Sequence, residues 1–493
     1  MSPAPESRAS RTARASLWVT SGKVLARGID FLLLLVLARV LSPEDFGLVA
    51  MAMTPVLIVE AILEVPVVQA ILRVREPVDA TYDTAFTLAV LRGLALAVVL
   101  AGIAWPLAEF YDEPRLPLLL CVLAIAPVLR GTLSPRMAVF MRDMDFRRDF
   151  VLELAGKGTA FVVAVIVAFA TRSHWAIVAA TLATPLTMNL LSYRMAPYRP
   201  RLGLSQWPQF ADMLGWNSLA QLISAVNWQS DRLLLPRFVD TDTVGRYSMA
   251  SNLTGIPQQA IVLPMTRPLM AAFSQVESTA GLAGAYRKAS AAVFAVAAPI
   301  LLAMGLLAEP LIRLALGREW LAAAPLLQWL AIGTLASLPV MPMAPLAMAM
   351  DRTRLVTLRM FAELVVKLPL LLWGLMQYGA EGAVAARNAS IVIAAVVAML
   401  LVRRLTGLGV VRQIRALARS MLALAAMAGV LVLLAPPVGE DMTALVLRTA
   451  LAGAAGVAAY GLISILLWMA AGRPPGMEAT AWAQAMRRLS RRG

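Results

Sequence analysis

The chain has 493 residues, 60% of them hydrophobic, with a mean hydropathy of +0.74. Only 15% are charged, against about 25% in an ordinary soluble domain, which excludes a string of soluble globular domains. The formal net charge is +15, but the basic residues sit in short segments between apolar runs, where membrane topology accounts for them; no nucleic-acid partner is expected.

The apolar runs are about 18–25 residues long, the length that crosses a bilayer as a helix. They lack the two-residue alternation of a membrane barrel. The expected fold class is therefore all-α integral membrane. In chain order, helices are predicted at roughly 17–40, 46–70, 84–108, 116–141, 150–171, 174–194, 210–237, 244–272, 286–312, 320–349, 355–377, 380–402, 415–435 and 444–470. That is about fourteen transmembrane helices. Residues 1–16 read as a basic cytoplasmic tail rather than a secretory signal, because Lys23, Arg27 and Asp30 interrupt the stretch before the first apolar run. Residues 17–194 form a six-helix half, 195–209 a cytoplasmic linker, 210–402 a second six-helix half, and 403–470 two extra helices. Residues 471–493 form a basic cytoplasmic tail in which Met477, Ala481, Trp482, Ala485, Met486 and Leu489 share one helical face. An amphipathic helix of that kind is expected to lie on anionic membrane lipid, with docking of a protein partner as the other reading.

Charge distribution supports the helix order. With the N-terminus inside, twenty-six basic residues fall in cytoplasmic segments and nine in outside segments, the positive-inside pattern. Outside loops are instead acidic, at Glu44-Asp45, Asp112-Glu113, Asp240, Asp242 and Glu440-Asp441. The expectation is a multi-pass protein of a bacterial inner membrane with both termini cytoplasmic.

The two halves carry matching features. Arg39 and Gly47 recur with the same spacing as Arg237 and Gly245. Ala108-Glu109 corresponds to Ala308-Glu309, and Glu153-Leu154-x-x-Lys157 to Glu363-Leu364-x-x-Lys367. Parallel repeats with a site between them are one common transporter architecture. The alternative is a set of unrelated apolar helices.

Sixteen charged residues fall inside the predicted spans: Lys23, Arg27, Asp30, Glu60, Glu64, Arg92, Arg130, Arg136, Glu153, Lys157, Asp212, Asp231, Arg232, Arg267, Glu363 and Lys367. A charge at mid-bilayer costs roughly 2.5–3.5 kcal/mol. Sixteen facing lipid would exceed a whole folding stability of about 5–15 kcal/mol. Those near helix ends, such as Arg136, Asp212 and Glu64, snorkel; the others line a wet cavity or pair with each other. Lys23, Arg27 and Asp30 lie on one side of a helix, and Asn217, Gln221, Ser224, Trp228 and Asp231 form a comparable stripe. Glu60 and Glu64 stack before Pro66. The pairs Glu153/Lys157 and Glu363/Lys367 have the favourable order for ion pairs within a helix, which is the plain structural reading of them. The substrate-cavity candidates are Lys23, Arg27, Asp30, Glu60, Arg92, Arg130, Glu153, Lys157, Asn217, Gln221, Asp231, Arg232, Arg267, Glu363 and Lys367. Guanidinium groups would take an anionic headgroup such as a pyrophosphate, and intramembrane acids would carry a coupling ion.

Arginine outnumbers lysine 40 to 4. Genome base composition accounts for such a bias; the functional reading is forked recognition of phosphate. The single cysteine, Cys121, excludes an internal disulfide and a cysteine-built metal site, and the single histidine, His174, reads as a loop or interface residue. Gly156-Lys157-Gly158-Thr159 lacks the upstream glycine of a nucleotide-binding loop. No catalytic residue, metal or cofactor is expected.

The segment Leu37-Ala38-Arg39-Val40-Leu41-Ser42-Pro43-Glu44-Asp45-Phe46-Gly47 resembles the signature after the first helix of the polysaccharide transporter family. That family belongs to the multidrug/oligosaccharidyl-lipid/polysaccharide flippase superfamily. Val67 to Arg73, Thr84-Ala85-Phe86 and Phe110-Tyr111 resemble the blocks that follow. The resemblance implies a V-shaped bundle with a central cavity and movement of polyprenyl-pyrophosphate-linked sugar repeat units to the periplasmic leaflet. It names a lipid-linked oligosaccharide as cargo and polysaccharide polymerase machinery as a candidate partner. A multidrug exporter or a peptidoglycan-precursor exporter of the same superfamily is the alternative, and a membrane sugar polymerase or ligase a more distant one. A polymerase needs larger outside loops than the roughly 5–12 residues expected here.

Overall fold

The structure is a computed structural model that describes residues 8–63, 67–211, 216–436 and 441–473, and among them every regular element is a helix. Glu64, Pro66, Asp212, Glu440 and the amphipathic stretch 477–489 lie outside the described residues, as does the side chain of Asn217. By packing, the chain divides into two compact units, Met1–Gly245 and Arg246–Gly493.

The first unit begins with α1 (Arg8–Val40) and α2 (Pro43–Ile62). α1 starts nine residues before the predicted boundary, because the Arg/Ala/Ser stretch ahead of it contains good helix formers and no breaker. The turn into α2 is set by Ser42: its hydroxyl accepts from the Asp45 N–H at 3.2 Å while the Asp45 carboxylate accepts from the Ser42 N–H at 3.2 Å, with Pro43 at the first turn. Asp45 also accepts from the backbone N–H of His174 at 2.8 Å, which places that histidine at a helix–helix junction.

Next come α3 (Val67–Arg73), α4 (Asp79–Tyr111), α5 (Leu116–Leu123), α6 (Ile125–Gly131) and α7 (Met137–Arg142). The sequence predicts one helix over 116–141; the structure breaks it into α5, α6 and α7. Pro135 cannot continue the hydrogen-bond ladder, and the freed groups find partners on a neighbour. Asn189 Nδ2 donates to the Leu129 carbonyl at 2.6 Å, Tyr193 to the Thr132 carbonyl at 3.0 Å, and Ser134 Oγ to the Ala196 carbonyl at 2.8 Å. Broken helices at membrane depth survive only with such compensation.

α8 (Arg147–Thr171) and α9 (Trp175–Met195) complete the core of this unit. Ala160, Ala164 and Ala168 of α8 meet Ala176 and Ala180 of α9, Leu37 of α1 and Leu41 just after it. Small residues let helix backbones approach where there is no hydrophobic drive between helices. After α10 (Pro208–Ala211), α11 (Trp216–Leu234) packs against α2 and so belongs to the first unit. The unit closes in α12 (Thr241–Pro257). The division by packing therefore falls later than the linker 195–209.

In the second unit a π-helical turn, Gln258–Val262, joins α12 to α13 (Leu263–Ser274), followed by α14 (Thr279–Leu306), α15 (Ala308–Ala315), α16 (Ala324–Leu335) and α17 (Met343–Ala349). α18 runs Thr353–Thr406, and α19 (Val410–Arg415), α20 (Ala418–Leu434) and α21 (Met442–Ala470) follow. A straight helix of 54 residues would be about 81 Å long, far more than a bilayer core of about 30 Å. It is interrupted at Gly379, whose φ of 56° and ψ of −131° only glycine adopts readily. Two spans result, at the predicted pair 355–377 and 380–402. Val293, Ala297 and Leu301 of α14 form the core of this unit with Leu424, Met427 and Leu431 of α20.

Eight helices, α18 counted once, are long and apolar enough to cross a membrane; Leu116–Gly131 and Ala418–Leu434 are shorter apolar helices. α1 and α11 are helical as predicted but more polar than these, and α12 is 17 residues long.

Candidate functional site

Within the first unit, a cavity of about 610 Å³ lies among helices α2 to α9. Its charged lining is Glu60, Arg92, Arg130, Asp149, Glu153 and Lys157. Two glycines make the cavity possible. A Cβ on Gly93 would meet the Pro127 carbonyl oxygen at 2.8 Å, and one on Gly131 would overlap the Ala89 carbonyl oxygen. α4 and α6 therefore touch at the residues adjacent to Arg92 and Arg130, and both guanidiniums reach the same space.

Both converge on Glu60. Arg130 forms an ion pair with the Glu60 carboxylate, and Arg92 Nη2 donates to the Glu60 backbone carbonyl at 3.1 Å. Lys157 Nζ lies 2.7 and 2.8 Å from the two carboxylate oxygens of Asp30 on α1. Asp149 Oδ2 is buried and accepts no hydrogen bond among the described residues. The lining thus carries three cations and three carboxylates, with Leu96, Met137, Met141 and Met188 as an apolar wall. Such a surface can hold a headgroup carrying both phosphate oxygens and hydroxyls: the guanidiniums offer forked donors and the carboxylates accept from hydroxyls.

Five of the predicted residues, Glu60, Arg92, Arg130, Glu153 and Lys157, line this one cavity, and Asp30 joins through its ion pair. Lys23 and Arg27 are exposed on α1, while Gly22 and Ala26, each one residue earlier, are buried. The expected α11 stripe does not share one environment: Gln221 and Trp228 are exposed, Ser224 is half-buried and Asp231 is buried. Arg232 is half-buried beside it. In the second unit Arg267 is exposed on α13, Glu363 is half-buried and Lys367 is buried.

The ion pairs expected within helices are replaced by others. Lys157 takes Asp30 from α1 rather than Glu153, and Glu363 takes Arg359, at 3.1 Å, from one turn earlier. Lys157 thus reaches a helix packed alongside, and Glu363 the preceding turn of its own helix.

Asp149 escaped the sequence reading because it precedes the predicted helix boundary at 150. Its spacing of four residues from Glu153 and eight from Lys157 was the available signal.

At the other end of α4, polar contacts tie α2, α5 and α12 together. Arg115 bridges Glu113 and Glu44, each at 2.8 Å, and Tyr111 donates to the Leu233 carbonyl at 2.6 Å. The hydrogen bonds from Arg115 hold the buried Glu113 carboxyl below its ordinary range, against the opposing effect of burial. Here Gly47 and Gly245 meet. A Cβ on Gly47 would overlap the Thr241 carbonyl oxygen, and one on Gly245 the Pro43 carbonyl oxygen.

The chain is 25% identical over 322 residues to the succinoglycan biosynthesis transport protein ExoT of Rhizobium meliloti (strain 1021), a match covering 64% of each chain. That is just under two thirds of the relative's own length. It is 22% identical over 347 residues to the lipopolysaccharide biosynthesis protein WzxC of Escherichia coli (strain K12), covering 69% of this chain and 70% of that one. In fold it is similar to the lipid II flippase MurJ in an inward closed conformation, with a TM-score of 0.72 and 12% identity over 94% of this chain and all of that one. The profile of the polysaccharide biosynthesis protein family matches residues 36–325, more than half of the chain, and the protein belongs to that family.

Proposed function

We propose that this protein is a flippase that moves polyprenyl-pyrophosphate-linked oligosaccharide repeat units across the bacterial inner membrane, for synthesis of lipopolysaccharide O-antigen, capsule or exopolysaccharide. One observation carries the reading: a cavity with two converging arginines and three carboxylates lies among helices of which α2, α4, α8 and α9 belong to stretches long and apolar enough to span a membrane. Charges there are costly unless water or a polar cargo meets them. Relatives named for transport and for surface-polymer biosynthesis support cargo movement over catalysis.

In this reading the lipid tail stays in the bilayer while the headgroup passes through the cavity. Arg92 and Arg130 receive the pyrophosphate, for which Arg130 must exchange the Glu60 carboxylate for phosphate oxygens. Intramembrane acids are usual carriers of protons or sodium, and Glu60, Glu153 and Asp149, which line the same cavity, supply the acids for coupling to an ion gradient. Two repeated six-helix halves, 17–194 and 210–402, alternate access, with both termini in the cytoplasm. The other residues marked as cavity candidates, from Lys23 and Arg27 to Arg267 and Lys367, serve the second half or the path of the headgroup. The basic tail 471–493 rests on anionic lipid, and polymerase machinery takes up the product.

The fold shared with a lipid II flippase favours one competing cargo, a peptidoglycan precursor. Deletion of the gene, followed by analysis of polyprenyl-linked sugars, separates the two. Accumulation of a repeat-unit oligosaccharide together with loss of a surface polymer is the expected result, reversed by the wild-type gene. Arg130→Ala and Glu60→Gln, expressed at wild-type level, are expected to restore export at least about tenfold less well, the scale of one lost charge-assisted contact. Accumulation of peptidoglycan precursor selects the second cargo. No change in any polyprenyl-linked sugar removes both.

A further inference from the structure

The segment joining α9 to α10, residues 196–207, is a strap across the end of the first unit opposite to Glu113. Three ties hold it to the first turns of α4. Tyr198 donates to Asp83 Oδ1 at 2.6 Å, the Gly203 N–H to Thr87 Oγ1 at 2.9 Å, and the Gln206 N–H to Thr84 Oγ1 at 3.2 Å. The Tyr198 ring also packs on Phe86 at 5.7 Å between centroids. Burial and the bond to Asp83 push the Tyr198 phenol up from its ordinary value, so it stays a donor.

Between strap and helices lies a cavity of about 490 Å³, distinct from the one above, lined by Arg136, Arg199 and Arg201 with Tyr193, Tyr198 and two carboxylates. Both carboxylates are already engaged: Asp79 pairs with Arg136 at 2.7 Å, and Asp83 accepts from Tyr198. Arg199 and Arg201 are exposed and form no ion pair among the described residues. Beside them the strap exposes Leu202 at 77%, Leu204 at 48% and Trp207 at 42%. The strap sits where two candidate membrane spans end, Asp79–Tyr111 and Trp175–Met195. Unpaired guanidiniums next to exposed leucines and a tryptophan, at the end of a spanning bundle, match the membrane–water boundary, where lipid phosphates meet acyl chains. A soluble anion would have use for the arginines but none for Leu202, Leu204 and Trp207.

We propose that this strap is a binding site for the headgroup phosphate of an anionic phospholipid, with Arg199 and Arg201 holding the phosphate and the apolar side chains entering the interface. The site is independent of the cargo reading above. Phosphate geometry suits two forked donors, and the strap's ties to α4 hold them in place before the lipid arrives.

The test uses the full-length protein in detergent, exposed to dioleoylphosphatidylglycerol, dioleoylphosphatidylcholine or sodium phosphate, with native mass spectrometry of retained lipid. Wild type is expected to retain phosphatidylglycerol over phosphatidylcholine. Arg199→Gln/Arg201→Gln is expected to lose about tenfold or more of that preference. Arg403→Gln/Arg404→Gln removes two exposed charges elsewhere and is expected to keep it. Equal loss in both variants would show diffuse charge attraction and overturn the site. So would undiminished preference in the first variant. Displacement of phosphatidylglycerol by sodium phosphate at matched concentration would show a soluble-phosphate site and overturn the lipid assignment.

Discussion

Single residues set how closely the helices approach. Gly47 has backbone within a Cβ's reach, so Gly47→Ala forces α2 away from the start of α12. A loss of about 1–3 kcal/mol is expected, seen as a lower unfolding temperature in detergent. Gly28, on α1, has nothing within 4 Å, and Gly28→Ala is expected to be neutral or stabilising by about 0.5–1 kcal/mol. Equal effects at the two sites would contradict the close approach. Glu113 makes a pH prediction. Its carboxyl is held down in the folded protein, so its contribution is present above its unfolded value of 4.5 and is lost as pH falls through the lower folded value. Unfolding temperature should therefore fall below pH 4.5, and Glu113→Gln should make that fall shallower. At neutral pH the same variant should cost about 1 kcal/mol, since Arg115 is half exposed and retains Glu44.

At the scale of helices, the choice of ion-pair partner is the measurable point. A double-mutant cycle on Asp30→Asn and Lys157→Gln, read by thermal stability, is expected to give a coupling of about 0.5–1 kcal/mol, the range for a half-exposed pair. The corresponding cycle on Glu153→Gln and Lys157→Gln is expected to give nearly none. The reverse order would restore the pair within α8. The broken helix α5–α6–α7 shows the same dependence on neighbours: Pro135 marks a break, but Asn189, Tyr193 and Ser134 make it tolerable. Gly379 turns one long apolar run into two spans, and Gly374 and Gly382 let the two arms meet, since a Cβ on either would overlap the other's carbonyl oxygen.

At the scale of the molecule, the distribution of arginine predicts the orientation. Alkaline phosphatase fusions at Asp45, Asp112, Asp242 and Glu440 are expected to be active, and those at Arg75, Arg147, Arg354 and Arg415 inactive. The opposite activity at any site would reverse the topology there. The charge asymmetry behind this expectation acts during insertion, on loops near the membrane, and so needs no tertiary contact.

The order of helices could be read from the chain itself, because the length and apolarity of a spanning helix are local properties dictated by the bilayer. The same holds for the cost of intramembrane charge, which marked Glu60, Arg92, Arg130, Glu153 and Lys157 before any contact was known. Which charges meet was decided only in three dimensions. Arg92 and Arg130 lie 38 positions apart, and it is the glycines beside them, letting α4 and α6 touch, that bring both to Glu60. Asp149 in the cavity, the strap over 196–207 and the placement of α11 in the first unit arise from packing between distant segments. Helical periodicity assigns a residue to a face of its own helix; what that face meets depends on the neighbouring helices.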